Sequence, residues 1–79
     1  MIKYYKKKGT EIRKVAEVDE NDNKKVIAII GQVAEMLKHE IIFPDNTAGN
    51  LEKWLLIRVE NPEMPEEYET LEDAKAAIK

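Results

Sequence analysis

The most informative spacing of apolar and polar residues lies between Asn23 and His39, NKKVIAIIGQVAEMLKH. On a helical wheel of about 100° per residue, Val26, Ile27, Ile29, Ile30, Val33, Ala34, Met36 and Leu37 share one half-turn. Lys24, Lys25, Ala28, Gly31, Gln32, Glu35, Lys38 and His39 fill the other half. The β-branched run Val26 to Ile30 favours a strand when taken alone, but the alternation breaks while the helical period continues to Leu37, so the pattern predicts one long helix.

Shorter elements flank it. Ile2 to Lys8 and Glu11 to Val18 read as the strands of an antiparallel hairpin closed at Gly9-Thr10. A two-residue turn puts Tyr4 opposite Val15 on one face and Tyr5, Lys7, Ile12 and Ala16 on the other; a bulge or a longer turn is the alternative. Asp19 to Asn23 ends the second strand and offers side-chain oxygens to the open N–H groups of the central helix. Pro44 ends that helix by Phe43, with a short strand over Ile41 to Phe43 and a loop over Asp45 to Asn50. Leu51 to Glu60 reads as a strand with Leu55, Ile57 and Val59 facing the helix, a short helix being the alternative. Pro62 and Pro65 break the chain, after which Thr70 N-caps a short helix with Leu71, Ala74, Ala77 and Ile78 on one face.

The expected fold is therefore α+β, a single domain over residues 1–79: a small antiparallel sheet, made of the N-terminal hairpin plus one later strand, covered on one face by one long and one short helix. Tyr4 or Tyr5 and Trp54 are expected on the uncovered face, a candidate surface for homodimerisation or partner binding.

Tyr5-Lys6-Lys7-Lys8, a strand ending at Val18, an Asp/Asn turn and Lys25 to Gly31 together resemble the opening of small phage and prophage proteins that begin Tyr-Arg-Lys-Lys and run through strand, turn and helix to Ile-Gly. The resemblance covers residues 4–31. It implies an origin in a mobile element and carries no chemistry with it.

Composition removes most enzyme classes. The 79 residues hold neither Ser nor Cys, which leaves Thr10, Thr47, Thr70 or a lysine for covalent catalysis, none of them in a recognisable motif. One histidine without thiols is a poor start for a zinc site, and Gly9, Gly31 and Gly49 stand apart rather than forming a phosphate-binding loop. Asp19, Asn21 and Asn23 have the spacing of the first calcium-loop ligands, but Lys24 stands where the loop needs Gly and Ile30 where it needs Glu. No cofactor or metal is expected, and no catalysis. The longest apolar run, Val26 to Ile30, is far too short to span a membrane, and the lysine-rich start has no apolar stretch behind it, so the expected location is cytoplasmic.

The net charge of −3 hides a division: residues 1–25 carry +3 and residues 26–79 carry −6. Two surfaces follow. Glu60, Glu63, Glu66, Glu67, Glu69, Glu72 and Asp73 form a segment without Lys or Arg whose carboxylates can imitate a phosphate backbone or dock on a basic groove. Lys3, Tyr4, Tyr5, Lys6, Lys7, Lys8, Arg13 and Lys14 combine charge that attracts phosphate with rings that stack on bases, although lysines also protect an edge strand from pairing. The expected function is a small interaction protein that binds another protein through the acidic segment, such as an inhibitor of a nucleic-acid-binding protein. The alternative is a nucleic-acid-binding module using the basic hairpin.

Overall fold

The computed structural model describes residues 1–42 and 50–78. Five strands run β1 (Ile2–Lys6), β2 (Arg13–Val18), β3 (Lys24–Gln32), β4 (Trp54–Arg58) and β5 (Glu66–Tyr68), with two six-residue helices, α1 (Val33–Lys38) and α2 (Leu71–Ala76). The strands form one antiparallel meander in chain order, β1 and β5 at its edges.

The long helix is thus corrected: Lys24–Gln32 is the central strand, and only Val33–Lys38 is helical. A bulge accounts for the broken alternation. Val15 pairs with Ala28 but Ala16 with Val26, so Ile27 is an extra residue in the ladder and turns to the same side as Ala28, where both join one apolar cluster. Beyond the bulge β3 is covered on both faces, which removes the polar half of the expected alternation. The expected covering of one sheet face by one long and one short helix is likewise replaced by two short helices on opposite faces of a larger sheet.

One face packs Tyr4, Val15, Ile27, Ala28, Ile30, Trp54, Leu56 and Tyr68 against Leu71, Ala74, Ala77 and Ile78 at α2. Ile30 and Leu56 have no exposed surface there. The other face packs Ile29, Leu55 and Ile57 against Val33, Met36, Leu37, Ile41 and Ile42 at α1. Gly31 admits this packing, because a Cβ would meet Met36 Cε at 3.0 Å and Ile12 Cγ1 at 3.1 Å.

The sequence around α1 shows no N-cap because the backbone supplies it: Val33 N–H donates to the Lys53 carbonyl at 2.9 Å and Ala34 N–H to that of Leu51 at 3.1 Å. At its other end Glu40 has φ 57°, with Ile41 N–H donating to the Met36 carbonyl and Glu40 N–H to that of Leu37, a Schellman closure built without glycine. In α2, Thr70 Oγ1 accepts from Asp73 N–H at 3.1 Å, the expected cap. Asp19 serves a hairpin turn instead of a helix: its Oδ1 accepts from Asn21 and Asn23 N–H, both at 2.9 Å. The first hairpin has the register Tyr4 opposite Val15, reached through a longer loop over residues 8–11 in which Gly9 takes φ 79° and the buried Thr10 hydroxyl ties the Lys7 carbonyl to Ile12 N–H. Of the strand expected over residues 41–43, Ile41 and Ile42 lie in the bend after α1 and Phe43 falls outside the described residues, as does most of the expected loop over 45–50.

Candidate functional site

Register sorts the basic residues onto different faces. Tyr5 opposes Lys14, which opposes Ile29; Lys3 opposes Ala16, which opposes Val26; Val18 opposes Lys24. All of these share the face of Ile29, but they lie on β1, β2 and the start of β3, away from the cluster that α1 covers. This open face therefore presents Lys3, Tyr5, Lys14 and Lys24, each exposed, around Val26, which is 43% exposed. The Lys24 ammonium stands 5.0 Å from the centroid of the Tyr5 ring. No position of β1, β2 or β3 on that face carries a carboxylate.

The remaining hairpin residues are placed differently. Tyr4 packs into the α2 side of the sheet, with Lys75 Nζ 4.7 Å from its ring centroid. Lys6 and Arg13 oppose each other on that side and share Glu11: Lys6 Nζ lies 2.8 Å from its Oε2 and Arg13 Nη2 3.3 Å from its Oε1. The hydrogen bond from Lys6 holds the Glu11 carboxyl below its ordinary pKa, with Arg13 adding to the effect. Lys7 and Lys8 are exposed where the hairpin turns. Trp54, expected on the uncovered face, opposes Tyr68 on the α2 side.

The acidic segment is divided as well. Glu66 receives Arg58 Nε at 2.6 Å and the Tyr68 hydroxyl at 2.5 Å, while Arg58 Nη2 donates to the Ala77 carbonyl at 3.1 Å, joining β4, β5 and the end of α2. The Arg58 hydrogen bond, then that of Tyr68, lowers the Glu66 pKa; the same carboxylate, aided by burial, raises that of Tyr68. Glu69 pairs with Lys53. The other five carboxylates are exposed but scattered: Glu60 and Glu63 between β4 and β5, Glu67 on the open-face side of β5 opposite Leu55, and Glu72 and Asp73 in the first turn of α2.

Sequence reasoning missed Lys24 and Val26 as members of the open face, since a helical Lys24 has no reason to stand beside Tyr5. The signal available was the strand preference of Val26 to Ile30. His39 caps the end of α1, its Nε2 3.8 Å from Glu35 Oε2. Among the described residues no three His, Asp or Glu side chains gather as a metal set, and no helix is long and apolar enough to cross a membrane. Comparison with family models, with curated proteins and with solved structures gave no match.

Proposed function

We propose that this chain is a small non-catalytic cytoplasmic binding module, and that its working surface is the open sheet face, which takes a single-stranded nucleic acid. The observation that supports this most is the gathering of Lys3, Lys14 and Lys24 around Tyr5 on three adjacent strands whose positions on that face carry no carboxylate, the nearest acids being Glu17, Asp19, Glu20 and Asp22, which line a cavity with Lys3 at one end of the face. Lysines so placed attract consecutive phosphates, and an exposed tyrosine ring offers a stacking surface to an unpaired base, which a duplex does not present. Lys24 already occupies a cation–π position over that ring, so a stacking base takes the place of the ammonium and frees it for a phosphate. On the resemblance over residues 4–31, the module comes from a mobile element.

The acidic segment makes a weaker docking surface. Two of its seven carboxylates are engaged internally, and the other five are spread over a turn, the open side of β5 and the first turn of α2. A face-to-face homodimer through the open sheet face is disfavoured because it sets Lys3, Lys14 and Lys24 against the same lysines of a second copy.

The test is fluorescence anisotropy with labelled single-stranded and duplex oligonucleotides over a range of salt. Three lysine–phosphate contacts predict a log–log salt slope of about −2 for a single strand, at roughly 0.7 per phosphate. Lys14→Ala should weaken binding and reduce the slope by about 0.7, whereas Tyr5→Ala should weaken it with the slope unchanged. No binding at low salt, or binding indifferent to these substitutions, overturns the reading and returns attention to a protein partner for Glu60, Glu63, Glu67, Glu72 and Asp73.

A further inference from the structure

The two edges of the sheet carry opposite charge. On β1, Lys7 N–H donates to the Ile12 carbonyl and Val18 N–H to that of Met1, so the odd-numbered residues bond to β2, while Ile2, Tyr4 and Lys6 turn their backbone N–H and C=O groups outward. Lys3 lies on this edge and Lys7 and Lys8 at its hairpin, all exposed, while Lys6 is paired with Glu11. At the other edge β5 has Leu56 to Trp54 of β4 on one side and, among the described residues, no strand on the other. Glu67 stands on it and Glu63 in the turn before it, both exposed, while the neighbouring Glu66 and Glu69 are engaged by Arg58 and Lys53. A meander of five antiparallel strands makes β1 and β5 run in the same direction, so they can meet, faces aligned, only as a parallel pair between two molecules.

From this placement we infer that β1 of one copy pairs with β5 of the next, a head-to-tail contact between second copies of this chain. Charge selects that arrangement. The lysines that keep β1 from pairing with another β1 attract β5, and a β5–β5 contact sets carboxylates against carboxylates. The contact is heterologous: each added copy leaves one basic and one acidic edge free, so association continues past the dimer. The three residues of β5, preceded by Pro65, limit the new ladder to a few hydrogen bonds, which makes the contact weak and its occupancy steeply dependent on concentration. Lys3 belongs both to this edge and to the open face, so the contact is tested without nucleic acid.

Sedimentation velocity on the purified chain, without nucleic acid, tests it over a concentration series at low and high salt. The expected result at low salt is a mean mass that rises with concentration and passes that of a dimer, and that returns to the monomer at high salt. Lys3→Glu and Glu67→Lys, both at exposed positions, should each abolish the rise, and an equimolar mixture of the two variants should restore it, because every contact in an alternating chain is again between unlike charges. A monomer at every concentration, a plateau at the dimer, or a mixture that stays monomeric overturns the inference; unchanged circular dichroism melts of the single variants show that loss of folding is not the cause.

Discussion

Ala28→Leu and Val26→Thr exchange their consequences according to whether residues 24–32 are strand or helix. On a helical wheel Ala28 falls on the polar side, where leucine is harmless, and Val26 falls in the core. In the bulged strand Ala28 is 1% exposed, opposite Val15 on β2 and Arg58 on β4, and packed in the cluster of Ala74 and Ile78; Val26 is 43% exposed. The three extra carbons of leucine therefore enter a closed site, at a cost of about 1–3 kcal/mol. For a domain of this size that lowers the melting temperature by roughly 4–8 °C per kcal/mol. Val26→Thr keeps the β-branch at a half-open position and should stay within about 0.5 kcal/mol. Denaturant titration followed by circular dichroism and by Trp54 fluorescence measures both. A silent Ala28→Leu together with a Val26→Thr that costs more than about 1 kcal/mol would restore the helix and refute the bulge.

Glu40→Gly should stabilise the chain by about 0.5–1 kcal/mol in the same titration, since a non-glycine residue is held at φ 57° after α1. Thr70→Ala should cost about 1 kcal/mol through loss of the bond from Asp73 N–H and loosen α2, seen as faster amide exchange over Leu71–Ala76. Glu66 has a pKa lowered in the folded state, so its contribution is present above the ordinary carboxylate range and is lost as pH falls through the lowered value. Melting temperatures should fall on acidification through and below pH 4.5, and less steeply in Glu66→Gln, which itself costs about 0.5–1 kcal/mol for a partly solvated pair. Tyr68 has a raised pKa, so its contribution holds at neutral pH and is lost as pH rises above 10 through the raised value.

How much the sequence reveals depends on how locally each element is determined. The first hairpin and α2 are legible because their signals are local: Gly9 at a positive φ, Thr70 as cap and the Leu71, Ala74, Ala77, Ile78 face; the hairpin register stays open in the sequence because the loop over residues 8–11 is set by the buried Thr10 hydroxyl. The central stretch misleads because three separate causes add up to one period. The bulge at Ile27 shifts the alternation, coverage on both faces makes Ile29 to Gly31 continuously apolar, and α1 follows at once with Val33, Met36 and Leu37 in true helical spacing. Its missing N-cap is supplied by the carbonyls of Leu51 and Lys53, partners about twenty residues away that no local pattern announces. β5 was hidden for a related reason. Glu66, Glu67 and Tyr68 show no apolar alternation, and what holds the strand is Glu66 bonded to Arg58 and Tyr68 opposite Trp54. The open face inherits the error in the central stretch, since only a β3 strand brings Lys24 beside Tyr5.

The claim that the open sheet face is the working surface is tested most directly by a backbone amide titration of the isotope-labelled chain with a short single-stranded oligonucleotide at low salt. The account predicts shift changes grouped at Lys3, Tyr5, Lys14, Lys24 and Val26, spanning three adjacent strands, with α2 unaffected. Shifts confined to residues 60–73, or none at all, would contradict it.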